Sequence, residues 1–109
     1  MKKLPFLLFV LAITFPVMTF GQTIIDCSAG TVSQTYCYGN SDNTQLVFQS
    51  NDGFPLTLTF ISGETEQTFD EVLVLDTDGT NLNEDNPYGN SGDLSGFTWT
   101  STGDTITLQ

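Results

Sequence analysis

The residues of this chain that could do chemistry are carboxylates. Glu64, Glu66 and Asp70 share one short stretch, and Asp76 and Asp78 close the next, in Asp76-Thr-Asp-Gly79. Carboxylates so close together could work as an acid–base pair on a glycoside. They could also supply oxygen ligands to calcium, which takes six to eight of them from carboxylates, carbonyls and water. A glycosidase needs a deep cleft that raises the pKa of its acid, and a chain of this length has little wall to build one. Nucleophile–histidine arrangements are excluded outright, because there is no His. Asp76-Thr-Asp-Gly79 opens like an EF-hand loop but is not one: its Gly comes too early, and the twelfth position from Asp76 is Pro87. No catalytic residue is assigned. Calcium, or plain solvation in turns, is what these acids suit. Asp70 could also lock its loop by accepting backbone N–H groups.

These acids sit in turns between strand-like segments. Leu56, Leu58 and Phe60 alternate with Thr57 and Thr59, the period of a half-buried strand. Residues 72–75 form a second apolar run suited to a pleated surface. With only an acidic turn between them, 54–61 and 71–75 are expected to be neighbouring strands. Further strands are expected over 44–49, 97–100 and 105–108, with Phe97 and Trp99 on one face. Residues 80–96 are rich in Asn, Asp, Gly and Pro and read as a long irregular connection. No stretch has a helical period, and turn signals recur at short intervals. An all-β sandwich or barrel in one domain follows. Its expected core is Leu46, Phe48, Leu56, Leu58, Phe60, Val72, Val74, Phe97, Trp99, Ile106 and Leu108.

The first 21 residues differ in kind. Met1-Lys2-Lys3 precedes an apolar run to Phe20, and Thr19-Phe-Gly21 suits cleavage before Gln22: a secretory signal peptide. Residues 22–109 form the expected domain. Lys2 and Lys3 are the only two basic residues, so this domain keeps all 13 carboxylates and no cationic side chain. Nucleic acid and anionic membrane surfaces are excluded as partners, since nothing can neutralise a phosphate. No side-chain salt bridge can form, so any buried carboxylate needs hydrogen bonds, a proton or a metal. Mutual repulsion among the acids is expected to raise their folded pKa values on average. Cys27 and Cys37 are an even pair in an exported chain and are expected to be bonded, stapling 24–27 to 35–38 as a hairpin. Tyr88, in Pro87-Tyr-Gly89, is the candidate for an exposed aromatic contact with a partner.

From about Cys27 onward the order of parts resembles the CUB family of extracellular β-sandwich domains. An apolar strand ends in Phe60 and a loop carries Glu64 and Glu66. Asp70-Glu-Val-Leu-Val-Leu-Asp-Thr-Asp-Gly79 follows, and Thr100-Ser-Thr-Gly-Asp-Thr-Ile-Thr-Leu108 is similar to the family's penultimate strand with its turn. CUB-like repeats of large secreted bacterial surface proteins, including those exported by the type IX route, are similar in the same way. The resemblance implies an antiparallel β-sandwich of jelly-roll type lacking its last strand. It also implies a calcium site on Asp70 and on Glu66 or Glu64. The family's third acid would fall beyond Gln109, and Phe69 stands where the family usually has a Cys. The function implied is a secreted, non-catalytic binding or adhesion module of the cell surface or matrix, its partner an extracellular protein or carbohydrate. The alternatives are a structural spacer in a large surface protein and a carbohydrate-binding accessory module of a secreted hydrolase.

Overall fold

The computed structural model describes residues 21–109. The expected signal peptide lies outside the described residues, except that Gly21 opens the first strand. The fold is all-β. Six strands are formed: β1 (Gly21–Ile25), β2 (Leu46–Ser50), β3 (Thr57–Thr59), β4 (Val74–Leu75), β5 (Thr98–Thr100) and β6 (Thr105–Leu108). They make a four-stranded sheet of order β1-β2-β6-β4 and a two-stranded sheet, β3-β5. No helix among the described residues is long and apolar enough to cross a membrane.

In the larger sheet, register puts Phe48 opposite Ile106, and both Leu46 and Val74 opposite Leu108. Alternation then places these five apolar side chains on one face. Val74 and Ile106 are the two fully buried large side chains. Beyond the strand ends, Leu73 and Gln109 exchange both backbone hydrogen bonds, at 2.8 and 2.9 Å. On the far edge of β4, Asn83 stands in for a strand. Its side-chain Oδ1 accepts from Val74 N–H at 2.9 Å and its Nδ2 donates to Val72 C=O at 2.6 Å. The polar connection thereby closes an edge that would otherwise be open to pairing with another chain.

Three expectations about pairing are corrected. The segments 54–61 and 71–75 are not neighbours: β3 pairs with β5, and β4 pairs with β6. Pairing with β5 aligns Leu58 with Trp99, where Phe60 meets the indole edge-on and Phe97 stacks on it. The 60–73 segment is long enough to carry the chain to the other sheet. The sheets are also not wholly antiparallel, because β1 runs parallel to β2. The twenty residues of the 26–45 connection give the crossover that a parallel pair requires, about a dozen or more. The hairpin of 24–27 with 35–38 does not form, since β2 takes the ladder of β1 and residues 35–38 lie outside any strand.

The disulfide expectation falls with that hairpin. Cys27 and Cys37 are free thiols, Cys27 half-buried and Cys37 exposed. Cys27 is held by its own N–H, which donates to Asn51 Oδ1 at 3.1 Å. Cys37 sits beside Tyr38, which reaches across to Glu66 and Asp70 instead. Burial and the nearby Asp52 carboxylate push the Cys27 thiol up, which disfavours the thiolate.

Candidate functional site

The acidic loops are built by backbone pairing between two irregular segments. Leu94 N–H donates to Gly63 C=O at 2.9 Å and Thr65 N–H to Gly92 C=O at 2.8 Å, with Glu64 opposite Asp93. Leu94 is buried beneath this pairing at 4% exposure. Two glycines make the return possible. Gly89 and Gly92 have φ of +62° and +98°, and a Cβ there would lie 2.3 Å from Asp93 O and 2.7 Å from Thr65 O. No other residue type fits both the dihedral and the space.

Glu66 begins a tight turn in which its carbonyl accepts from both Phe69 N–H and Asp70 N–H, at 3.0 and 2.9 Å. Thr68 takes φ +79° within it, a left-handed conformation that is costly for a β-branched residue. The Tyr38 hydroxyl closes the turn from outside. It donates to Asp70 Oδ2 at 3.2 Å and accepts from Glu66 N–H at 3.3 Å. Burial and the neighbouring Asp70 carboxylate raise the phenol, so it remains a donor across the physiological range.

Of the expected calcium ligands, Glu66 and Asp70 are thus brought into one turn, while Glu64 stands exposed on the strand-like return opposite Asp93. Among the described residues, no group of three or more Asp, Glu or Cys side chains is placed to hold a metal ion. The side chain that closes this turn is Tyr38. Tyr88 is half-buried, its hydroxyl donating to Glu71 Oε1 at 3.2 Å while Pro87 C=O accepts from Val72 N–H. The more exposed aromatics are Phe54 and Phe69, at 69% and 78%, joined by Ile61 at 79%.

The acid with the most built surroundings is Asp76, which is buried at 6% exposure. Its Oδ1 accepts from Thr77 N–H and Thr102 N–H, both at 2.7 Å, and its Oδ2 from the Thr102 hydroxyl at 2.8 Å. The Thr102 N–H above all holds this carboxyl below its ordinary value, against the opposing effect of burial. The role expected as one option for Asp70, a loop lock fed by backbone N–H groups, belongs to Asp76. Asp76 lies just past the end of β4, two positions along from buried Val74, where the period of the strand carries on to the buried side.

The other shifted aspartates follow the same physics. Donors from Ser28 to Asp26, Thr44 and Tyr36 to Asp42, and Phe54 N–H to Asp52 all lower the carboxyl. So do Thr80 N–H at Asp78, Ser95 at Asp93 and Gln49 at Asp104. The expected average rise from repulsion is therefore corrected for every aspartate that shifts. A hydrogen-bond donor at contact distance outweighs a like charge screened over about 8 Å.

No protein-family model, no curated protein and no solved structure matches this chain.

Proposed function

We propose that the chain is a non-catalytic binding or adhesion module of an exported surface protein, its two sheets forming a CUB-like β-sandwich. The observation that carries this reading is the contrast within the loops. Asp52 and Asp76 accept backbone N–H groups and Asp70 accepts from the Tyr38 hydroxyl, which fixes the loops, while Phe54, Ile61 and Phe69 are left more than two-thirds exposed. Anchored loops presenting large apolar side chains suit a contact surface. A spacer has no use for them. Export rests on the leader-like residues 1–21.

The test is retention on the envelope fraction of the producing cells. The double variant Ile61→Ser, Phe69→Ser is expected to bind about tenfold more weakly. Its melting temperature should stay within about 2 °C of the parent, because both side chains are already in solvent. Equal binding by parent and variant, or none by either, would favour the spacer reading.

Calcium enters this proposal only as an ion that could order the turn at Glu66 and Asp70. With Tyr38 already closing that turn, calcium at pH 7 is expected to raise the melting temperature no further than sodium chloride of equal ionic strength. A larger rise that disappears in Asp70→Asn would restore a specific site.

A further inference from the structure

The two-stranded sheet leaves backbone groups unpaired. Phe60 N–H donates to Phe97 C=O and Ser101 N–H to Leu56 C=O, and Leu58 lies opposite Trp99. In an antiparallel ladder only alternate residues face the partner strand. Leu56, Leu58 and Phe60 therefore pair with β5, and the N–H and C=O groups of Thr57 and Thr59 point away from it. Among the described residues no other segment meets them, and both threonines are exposed. Their side chains do not cover the edge. Thr57 Oγ1 pairs with Thr100 Oγ1 and Thr59 Oγ1 with Thr98 Oγ1, each at 2.9 Å, across the sheet face.

Proteins blunt such edges with charge, proline or a covering loop. Here β4 has the covering loop with Asn83, whereas β3 is protected only by its length of three residues, and Thr57-Leu-Thr59 carries neither charge nor proline. Exposed Phe54 and Ile61 bracket the open stretch. Charge selects the occupant. Every charged side chain from Gln22 onward is a carboxylate, so a second copy is repelled and a basic segment attracted.

We propose that the free edge of β3 accepts an extended strand of another polypeptide, one in which lysine or arginine alternates with apolar residues. This names the partner class of the binding module and rests on that reading. The added strand pairs its backbone with Thr57 and Thr59. Its apolar side chains continue the face of Leu58 and Trp99, and its cations lie on the threonine face.

The probe is an end-blocked, alternating Lys-Val octapeptide added to the full chain. Its twin is N-methylated at alternate amides, keeping the charge but losing the donors of one edge. The parent peptide is expected to slow hydrogen exchange at the Thr57 and Thr59 amides by about tenfold or more at saturation, and the twin is expected not to. Thr59→Pro removes an outward N–H and keeps the β3–β5 backbone hydrogen bonds, losing between the strands only the Thr59–Thr98 hydroxyl pair, and should weaken binding about tenfold. Equal binding by the two peptides, or unchanged exchange at Thr57 and Thr59, would overturn the inference by reducing the effect to charge alone. If neither peptide binds while the chain is still retained on the envelope, the edge is wrong and the module reading stands. If retention fails as well, both are wrong.

Discussion

Replacing Asp76 by Ala is expected to lower the melting temperature by about 10 °C or more. The carboxylate joins the turn after β4 to the connection between β5 and β6, through Thr77 N–H, Thr102 N–H and the Thr102 hydroxyl. It is the first half of a clamp. Thr77 is the second, its hydroxyl donating to Thr105 C=O at 2.7 Å and accepting from Gly103 N–H at 3.0 Å. Alanine removes three acceptor contacts and leaves the part-buried N–H groups of Thr77 and Thr102 without their protein partner. Unmade buried hydrogen bonds cost more than made ones gain. Asp76→Asn keeps one acceptor oxygen and should fall between the two. Thermal unfolding followed by Trp99 fluorescence reads the effect. A fall of less than about 3 °C for Asp76→Ala would mean that the loops hold without this lock.

Gly89→Ala is the second large effect, expected to cost about 3 kcal/mol. Two terms add. The residue has φ +62°, and its new methyl would sit 2.3 Å from Asp93 O and 3.0 Å from Leu94 Cδ2. The obstacle at Asp93 is backbone, so the loop must open, and opening it lifts Leu94 from its buried position. Gly79→Ala separates the terms. Gly79 has φ +89° but nothing within 4 Å of a Cβ, so only the dihedral strain remains, about 1–2 kcal/mol. Chemical denaturation of the two variants should show that difference. Equal losses would mean that the approach to Asp93 relaxes freely.

How far the sequence reveals this structure depends on whether a feature is local. The alternation of Leu56, Leu58 and Phe60 with threonines locates β3, and Phe97 and Trp99 do share a face. Val74 and Ile106 were identifiable as core by the same period. Pairing was not legible, because strand order depends on how far each connection travels. The stretch after Phe60 is acidic and short of apolar residues, which reads as a turn yet carries the chain to another sheet. Leu94 was missed because it is an isolated apolar residue between Asp93 and Ser95, with no period around it. At the candidate site, proximity in sequence placed Glu66 and Asp70 in one turn, but Tyr38, which closes it, lies 28 and 32 residues away from them. Repulsion could be counted from composition. The donors that outweigh it are backbone N–H groups and hydroxyls, and composition says nothing of where these point.

The hydrogen-bonded aspartates of this chain act as structural locks that fix the loops presenting the apolar side chains. The dependence of melting temperature on pH tests this most directly. Folded pKa values below the ordinary aspartate value mean that the unfolded chain binds more protons. The stabilisation is then complete above the ordinary aspartate range, about pH 5, and is lost as pH falls through 3.8 and below. Most of it should come from buried Asp76, since the locks at exposed Asp26, Asp42, Asp52, Asp78 and Asp93 are weakened by solvent. A melting temperature that is level from pH 7 to 5 and drops steadily toward pH 2, with a shallower drop in Asp76→Ala, is the predicted result. A melting temperature that rises on acidification would show that repulsion among the carboxylates governs this chain, and would contradict the account.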